Sequence, residues 1–176
     1  LERLIISRTS FEDDFKASGN KDILVHRQRD VFLPPECRAC NKIHLPKNPF
    51  DLILYKQPTL ILAELKSTGQ KSISLDEKII KKHQSLSLLK FSDYKGVICG
   101  FIFNFREFNN ATFFIGIQDF MSFVEKAERK SIPLAYCQEV GIEVDQQLKK
   151  TRYKYNILKL FNDINKKEKD NTFEKN

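Results

Sequence analysis

The stretch from Asn48 to Lys66, N-P-F-D-L-I-L-Y-K-Q-P-T-L-I-L-A-E-L-K, limits the fold more than any other part of the chain. Two apolar runs rich in β-branched and aromatic residues, Leu52 to Tyr55 and Leu60 to Ala63, flank Lys56-Gln57-Pro58-Thr59. A four-residue turn there folds one run antiparallel on the other. Asp51 then stands directly across from Glu64. Such cross-strand partners have Cβ atoms only ~5 Å apart, where like charges destabilise a sheet. Two facing carboxylates at the ends of oily strands therefore serve stability poorly unless a divalent cation lies between them. The strand period of two turns Glu64 and Lys66 to one face and Leu65 to the other, which sets an ammonium beside the acidic pair.

Carboxylate oxygens suit Mg²⁺, which keeps several waters and takes one or two protein carboxylates together with phosphate oxygens. An ion held this way positions a water, helps generate hydroxide and neutralises charge on a phosphodiester. Lys66 is placed to orient or activate the nucleophile. This reading is nuclease chemistry; the alternative is an amphipathic hairpin whose charged ends are solvated or salt-bridged.

The charge balance points the same way. Thirty Lys and Arg against 23 Asp and Glu give +7 and a pI near 9.2, which favours a polyanion such as nucleic acid, though solvated surface lysines produce the same balance. A length of 176 residues is enough for one α/β domain with its own core. That domain is expected over 1–164, with the charged segment 165–176 disordered. The four cysteines, at 37, 40, 99 and 137, and a 41% hydrophobic content require no disulfide framework. With no secretory leader, they fit an intracellular, reducing location. No apolar run approaches the ~20 residues that cross a bilayer, so no membrane is expected. The absence of an initiating Met points to processing or to a start inside a longer chain.

Taken in order, Ser10 with Asp13 reads as the start of a helix to about Ser18, with Phe11 and Phe15 as its buried stripe. Glu12 lies one position round from that stripe, able to reach a metal's edge or to pair with Lys16. Ile23 to His26 reads as a strand. Arg8, Arg27 and Arg29 are candidate phosphate contacts, or solvated loop charges. Cys37, Cys40 and His44 suggest half of a Zn²⁺ site that Cys137 or Cys99 completes, or simply free thiols in a loop; Cys99 reads better as a small core residue. Ser67 and Thr68 open a polar loop at the active edge and are candidate DNA contacts. Ser74-Leu75-Asp76-Glu77 reads as a capping box opening a helix to about Lys90, with His83-Gln84 within reach of the hairpin. Gly96 to Phe105 and Ala111 to Ile117 extend a mixed sheet. Asp119 caps a helix to about Arg129, and Arg106, Lys126, Arg129 and Lys130 are candidate phosphate contacts or exposed charges. Gly141 to Asp145 reads as a linker. Thr151 to Ile164 reads as a last helix whose apolar face packs on the domain or on a second subunit.

Pro49-Phe50-Asp51 followed by Glu64-Leu65-Lys66 resembles the P-D...(D/E)-x-K nuclease signature. The wider context resembles the RecU type of Holliday junction resolvase, phage-encoded members included. That context is Phe11-Glu12-Asp13-Asp14, Ser67-Thr68, Ser72-Ile73 leading to His83-Gln84, and Arg129-Lys130-Ser131-Ile132. The resemblance implies a single restriction-endonuclease-like α/β domain, a central mixed β-sheet flanked by helices. It implies a Mg²⁺-dependent endonuclease, with Mn²⁺ able to substitute, that cuts four-way branched DNA in recombination and is commonly a homodimer. It also implies Asp51, Glu64, the Leu65 backbone carbonyl and Glu12 around the metal, Lys66 assisting the attacking water, and Gln84 in support. Two features depart from the family pattern. Phe50 stands where a small hydroxyl residue is common, and Val31 to Lys47 is shorter than the projecting stalk of that family. A restriction-like or general DNA nuclease, or a junction-binding protein without catalysis, therefore stays open.

Overall fold

The computed structural model describes residues 8–28 and 48–173, with side chains from 10 to 28 and 48 to 170. The hairpin forms as its alternation dictates: β2 (Leu52–Lys56) runs antiparallel to β3 (Thr59–Thr68), with Leu52 opposite Ala63. Lys56 pairs with Thr59, so the turn is the two residues Gln57 and Pro58 rather than four. β3 continues past Ala63 to Thr68 because it has a second partner, the parallel β5 (Val97–Phe105). A parallel neighbour requires a crossover connection. Here it contains β4 (Ser72–Ser74) and α2 (Lys82–Phe91). Among the described residues the main sheet has six strands in the order β1 (Leu24–Arg27), β2, β3, β5, β6 (Ala111–Gly116) and β8 (Ile142–Glu143). All its pairs but β3–β5 are antiparallel.

Helices cover both faces, which is why the two central strands are apolar on both sides. On one face α1 (Arg8–Lys16) and α5 (Ile157–Phe173) pack Phe11, Phe15, Leu160 and Phe161 against Leu52, Leu54, Leu65 and Ile102. On the other, α2 and α3 (Ile117–Lys126) pack Leu88 and Phe120 against Leu62, Phe101 and Phe103. The mixed α/β class expected from the sequence is thus what the chain adopts. No helix among the described residues is long and apolar enough to cross a membrane.

Several boundaries differ from the sequence expectation, each because tertiary pairing overrides a local signal. Ser10 lies inside α1 rather than before it. The Ser74–Glu77 capping signal makes a turn instead, since Ser74 is held opposite Ser131 of β7 (Ser131–Pro133) and Ile79 and Ile80 N–H both donate to Asp76 O. The helix starts only after Lys81. Asp119 sits in the first turn of α3, which ends at Lys126, ahead of α4 (Leu134–Val140). The presumed linker contains β8, paired with β6. Residues after Lys150 begin as a strand, β10 (Arg152–Tyr155), paired with β9 (Gln146–Lys149). The last helix then runs from Ile157 through Phe173, into the segment expected to be disordered. Its apolar residues Ile157, Leu160, Phe161 and Ile164 are buried in the chain's own core.

The close approach of β5 and β6 depends on Gly100. A Cβ there would lie 2.3 Å from Ile115 O and 2.8 Å from the Phe114 ring. A backbone carbonyl in a paired strand has no room to yield, so Gly100→Ala is expected to lower stability by about 1–3 kcal/mol in urea unfolding. A change below about 0.5 kcal/mol, the size of an ordinary surface substitution, would show that the strands separate freely.

Candidate active site

Asp51 precedes β2 and is held there by its own side chain and backbone. Its N–H donates to Ala63 O at 3.2 Å, and its Oδ2 accepts Leu65 N–H at 3.2 Å. The carboxylate so replaces a ladder carbonyl and faces Glu64, as the hairpin pattern requires. Glu64 is 1% exposed. Its Oε1 accepts from Lys66 Nζ at 2.5 Å and from Gln84 Nε2 at 2.6 Å. Its Oε2 is buried, meets no protein donor and faces the Asp51 carboxylate. Burial first, and then the facing Asp51 carboxylate, push the Glu64 carboxyl up to about 8 against the pull of Lys66. Two carboxylates in this position require something positive between them: a proton at neutral pH, or a cation that displaces it.

Gln84 reaches this pair because of where α2 begins. It is the third residue of the helix, and its Oε1 accepts the Lys81 N–H at 3.4 Å, as in a capping box, and Lys66 Nζ at 3.5 Å. One amide thereby ties the helix start to both members of the ion pair. Phe50, at the position of the family departure, is buried edge-on against Phe91 of α2 with ring centroids 5.8 Å apart.

Four of the sequence-predicted residues come together, Asp51, Glu64, Lys66 and Gln84, along with the main chain of Leu65. Glu12 is buried, but in the α1 layer, where it pairs with Arg27. Arg27 also reaches Asp13 at 3.5 Å, so its part-buried guanidinium is paired on its α1 side. Among the described residues no three His, Cys, Asp or Glu side chains gather into a metal cluster. The donor set brought together is two carboxylates with neutral oxygens, which suits a hard divalent cation. Ser67 is fixed rather than free: its Oγ donates to Asn104 Oδ1 at 2.7 Å and accepts from Arg106 Nη1 at 2.9 Å. Thr68 Oγ1 accepts the Gln70 N–H at 3.0 Å. Arg129 and Lys130 are exposed beside the β4–β7 pair, where Lys130 O accepts Leu75 N–H. Arg29, Cys37, Cys40, His44 and the shortened stalk region lie outside the described residues, as does the Arg8 side chain. Cys99 and Cys137 are buried free thiols, pushed up to about 12 by burial.

The polar network behind Ser67 was not anticipated. Buried Asn104 donates to Asn110 Oδ1 at 2.7 Å and Thr112 Oγ1 at 3.0 Å, and Asn110 donates on to Tyr155 OH at 2.9 Å. An Asn inside the apolar run Val97 to Phe105 was the available signal.

The fold and site together define an α/β domain whose central hairpin presents a buried glutamate and lysine beside the half-buried Asp51 carboxylate. Residues 49–162 match the family model for RecU, Recombination protein U, and the chain belongs to that family. The matched region contains Asp51, Glu64, Lys66 and Gln84 and leaves Glu12 and Arg27 outside. The chain is 40% identical over 134 residues to the SPbeta prophage-derived uncharacterized protein YotM of Bacillus subtilis (strain 168), covering 69% of each. It is similar in structure to Archaeoglobus fulgidus Hjc, a Holliday junction resolvase from an archaeal hyperthermophile, with a TM-score of 0.45 and 15% identity, over 69% of this chain and 83% of that one.

Proposed function

We propose that the protein is a Mg²⁺-dependent endonuclease that resolves four-way DNA junctions in recombination, with Mn²⁺ able to replace Mg²⁺. The observation that carries this reading is the Glu64 carboxyl, buried and facing Asp51, with one oxygen taken by Lys66 and Gln84 and the other meeting no protein donor. Membership of the RecU family and the +7 charge support it.

In this reading Asp51, Glu64 and the Leu65 backbone carbonyl hold the ion. Bound Mg²⁺ supplies charge neutralisation on the phosphodiester and a lowered pKa for the attacking water. Lys66 orients that water, and Gln84 keeps Glu64 and Lys66 in register. Glu12, tied to Arg27 in the α1 layer, orients the ion's hydration shell. Ser67, Thr68, Arg129, Lys130, Arg8, Arg27 and Arg29 meet DNA phosphates. A homodimer sets two such centres on opposing strands of branched DNA, in the cytoplasm of a bacterial or phage-infected cell.

Cleavage of a synthetic four-way junction and of a linear duplex of the same sequence, both with Mg²⁺, tests the assignment. The junction is expected to be cut in preference, by paired symmetrical nicks. Equal or better cutting of the duplex would move the protein to the restriction-like or general nucleases. Junction binding with no cutting, by wild type and Glu64→Ala alike, would leave it a binding protein.

A further inference from the structure

Gln28 follows β1, and the pairing of β1 with β2 carries it to the place across from Asp51, where its N–H donates to Asp51 O at 2.8 Å. The alternation along β1 sets its direction. Val25 packs into the α1 layer and Arg27 turns to Glu12 and Asp13, whereas Leu24 and His26 lie exposed on the opposite face. Gln28 continues the second series. Along β2, Leu52 and Leu54 enter the α1 layer and Ile53 the α2 layer, so Asp51 continues the series of Ile53. The Gln28 amide and the Asp51 carboxylate therefore belong to one face.

Among the described residues, two buried side-chain oxygens meet no protein donor: Gln28 Oε1, and Glu64 Oε2, which faces the Asp51 carboxylate with only a proton or a cation to separate them. They belong to the residues flanking Asp51 on its two neighbouring strands. An unpaired buried oxygen costs about 1–3 kcal/mol, and native structures leave few of them without a reason. A hydrated cation satisfies both oxygens at once. Mg²⁺ accepts neutral amide oxygens and keeps its waters.

We infer that Gln28 is a positioning residue of this site, its amide oxygen accepting a hydrogen bond from a water held by the divalent cation between Asp51 and Glu64. The inference rests on the cation reading proposed above. It is tested by measuring Mn²⁺ affinity of the DNA-free protein by electron paramagnetic resonance, with thermal melting as a check on folding. Gln28→Met is expected to weaken Mn²⁺ binding about tenfold, the usual effect of removing an outer partner. Gln28→Glu is expected to bind Mn²⁺ more tightly than wild type, since it offers a charged oxygen at the same reach. Should Gln28→Met bind within about twofold of wild type while Asp51→Asn loses Mn²⁺, Gln28 has no part in the site and the cation reading stands. If wild type itself takes up no Mn²⁺, both readings fall together. Where Gln28→Met does not fold, Gln28→Glu decides, and unchanged or weaker binding by it overturns the inference.

Discussion

Glu64→Gln is expected to abolish Mg²⁺-dependent cleavage, by ~10³-fold or more, the equivalent of about 4 kcal/mol of lost transition-state stabilisation. The same substitution is expected to make the metal-free protein more stable at alkaline pH. The Glu64 carboxyl is raised from 4.5 to about 8 by burial and by Asp51, so the folded chain keeps a proton that the unfolded chain releases between those values. Its contribution to metal-free stability is therefore complete below about pH 4.5 and is lost as pH rises through about 8. Glutamine keeps the shape and the hydrogen bond to Lys66 or Gln84 without that loss. Thermal melting of both proteins in EDTA from pH 5 to 9 should give curves that diverge as pH rises, with the variant above. Parallel curves would mean that Glu64 titrates as an ordinary carboxylate and that the acid pair is not strained. Mg²⁺ binding to wild type near pH 7 should in turn release about one proton, the one that the ion displaces.

Asn104→Ala is expected to cost about 3 kcal/mol in urea unfolding, well above the worth of one hydrogen bond, because it strands several buried partners at once. Ser67 Oγ loses its acceptor, and Asn110 Oδ1 and Thr112 Oγ1 lose a shared donor. Since Asn110 is in turn the link to Tyr155 and so to the α1 layer, the loss spreads from β5 to the β9–β10 hairpin. A cost under about 1 kcal/mol would show that these side chains find other partners and that the network is not cooperative.

The hairpin was legible because its information is local. The alternation of Leu52 to Tyr55 and Leu60 to Ala63 decides which side chains share a face, and a two-residue error in the turn leaves Asp51 across from Glu64. The same period of two places Lys66 beside Glu64. Helix starts were less legible because capping chemistry is shared with turns. Ser74 and Asp76 have the right side chains for an N-terminus, but pairing of Ser74 with Ser131, distant in the chain, claims that backbone first.

Charges near the site divide in the same way. Local sequence offers Arg27 to DNA and Glu12 to a metal with equal ease, and only the packing of α1 on β1 brings the two together. Hairpin periodicity alone could establish an acid pair and its lysine, since neighbours along a strand and across a tight turn are set by covalent spacing. That Glu64 is buried, with Gln84 on one oxygen, and that Gln28 lies at the other side of Asp51, depends on strands and a helix distant in sequence. Burial and its electrostatic consequence come from the assembled layers, which no local pattern encodes.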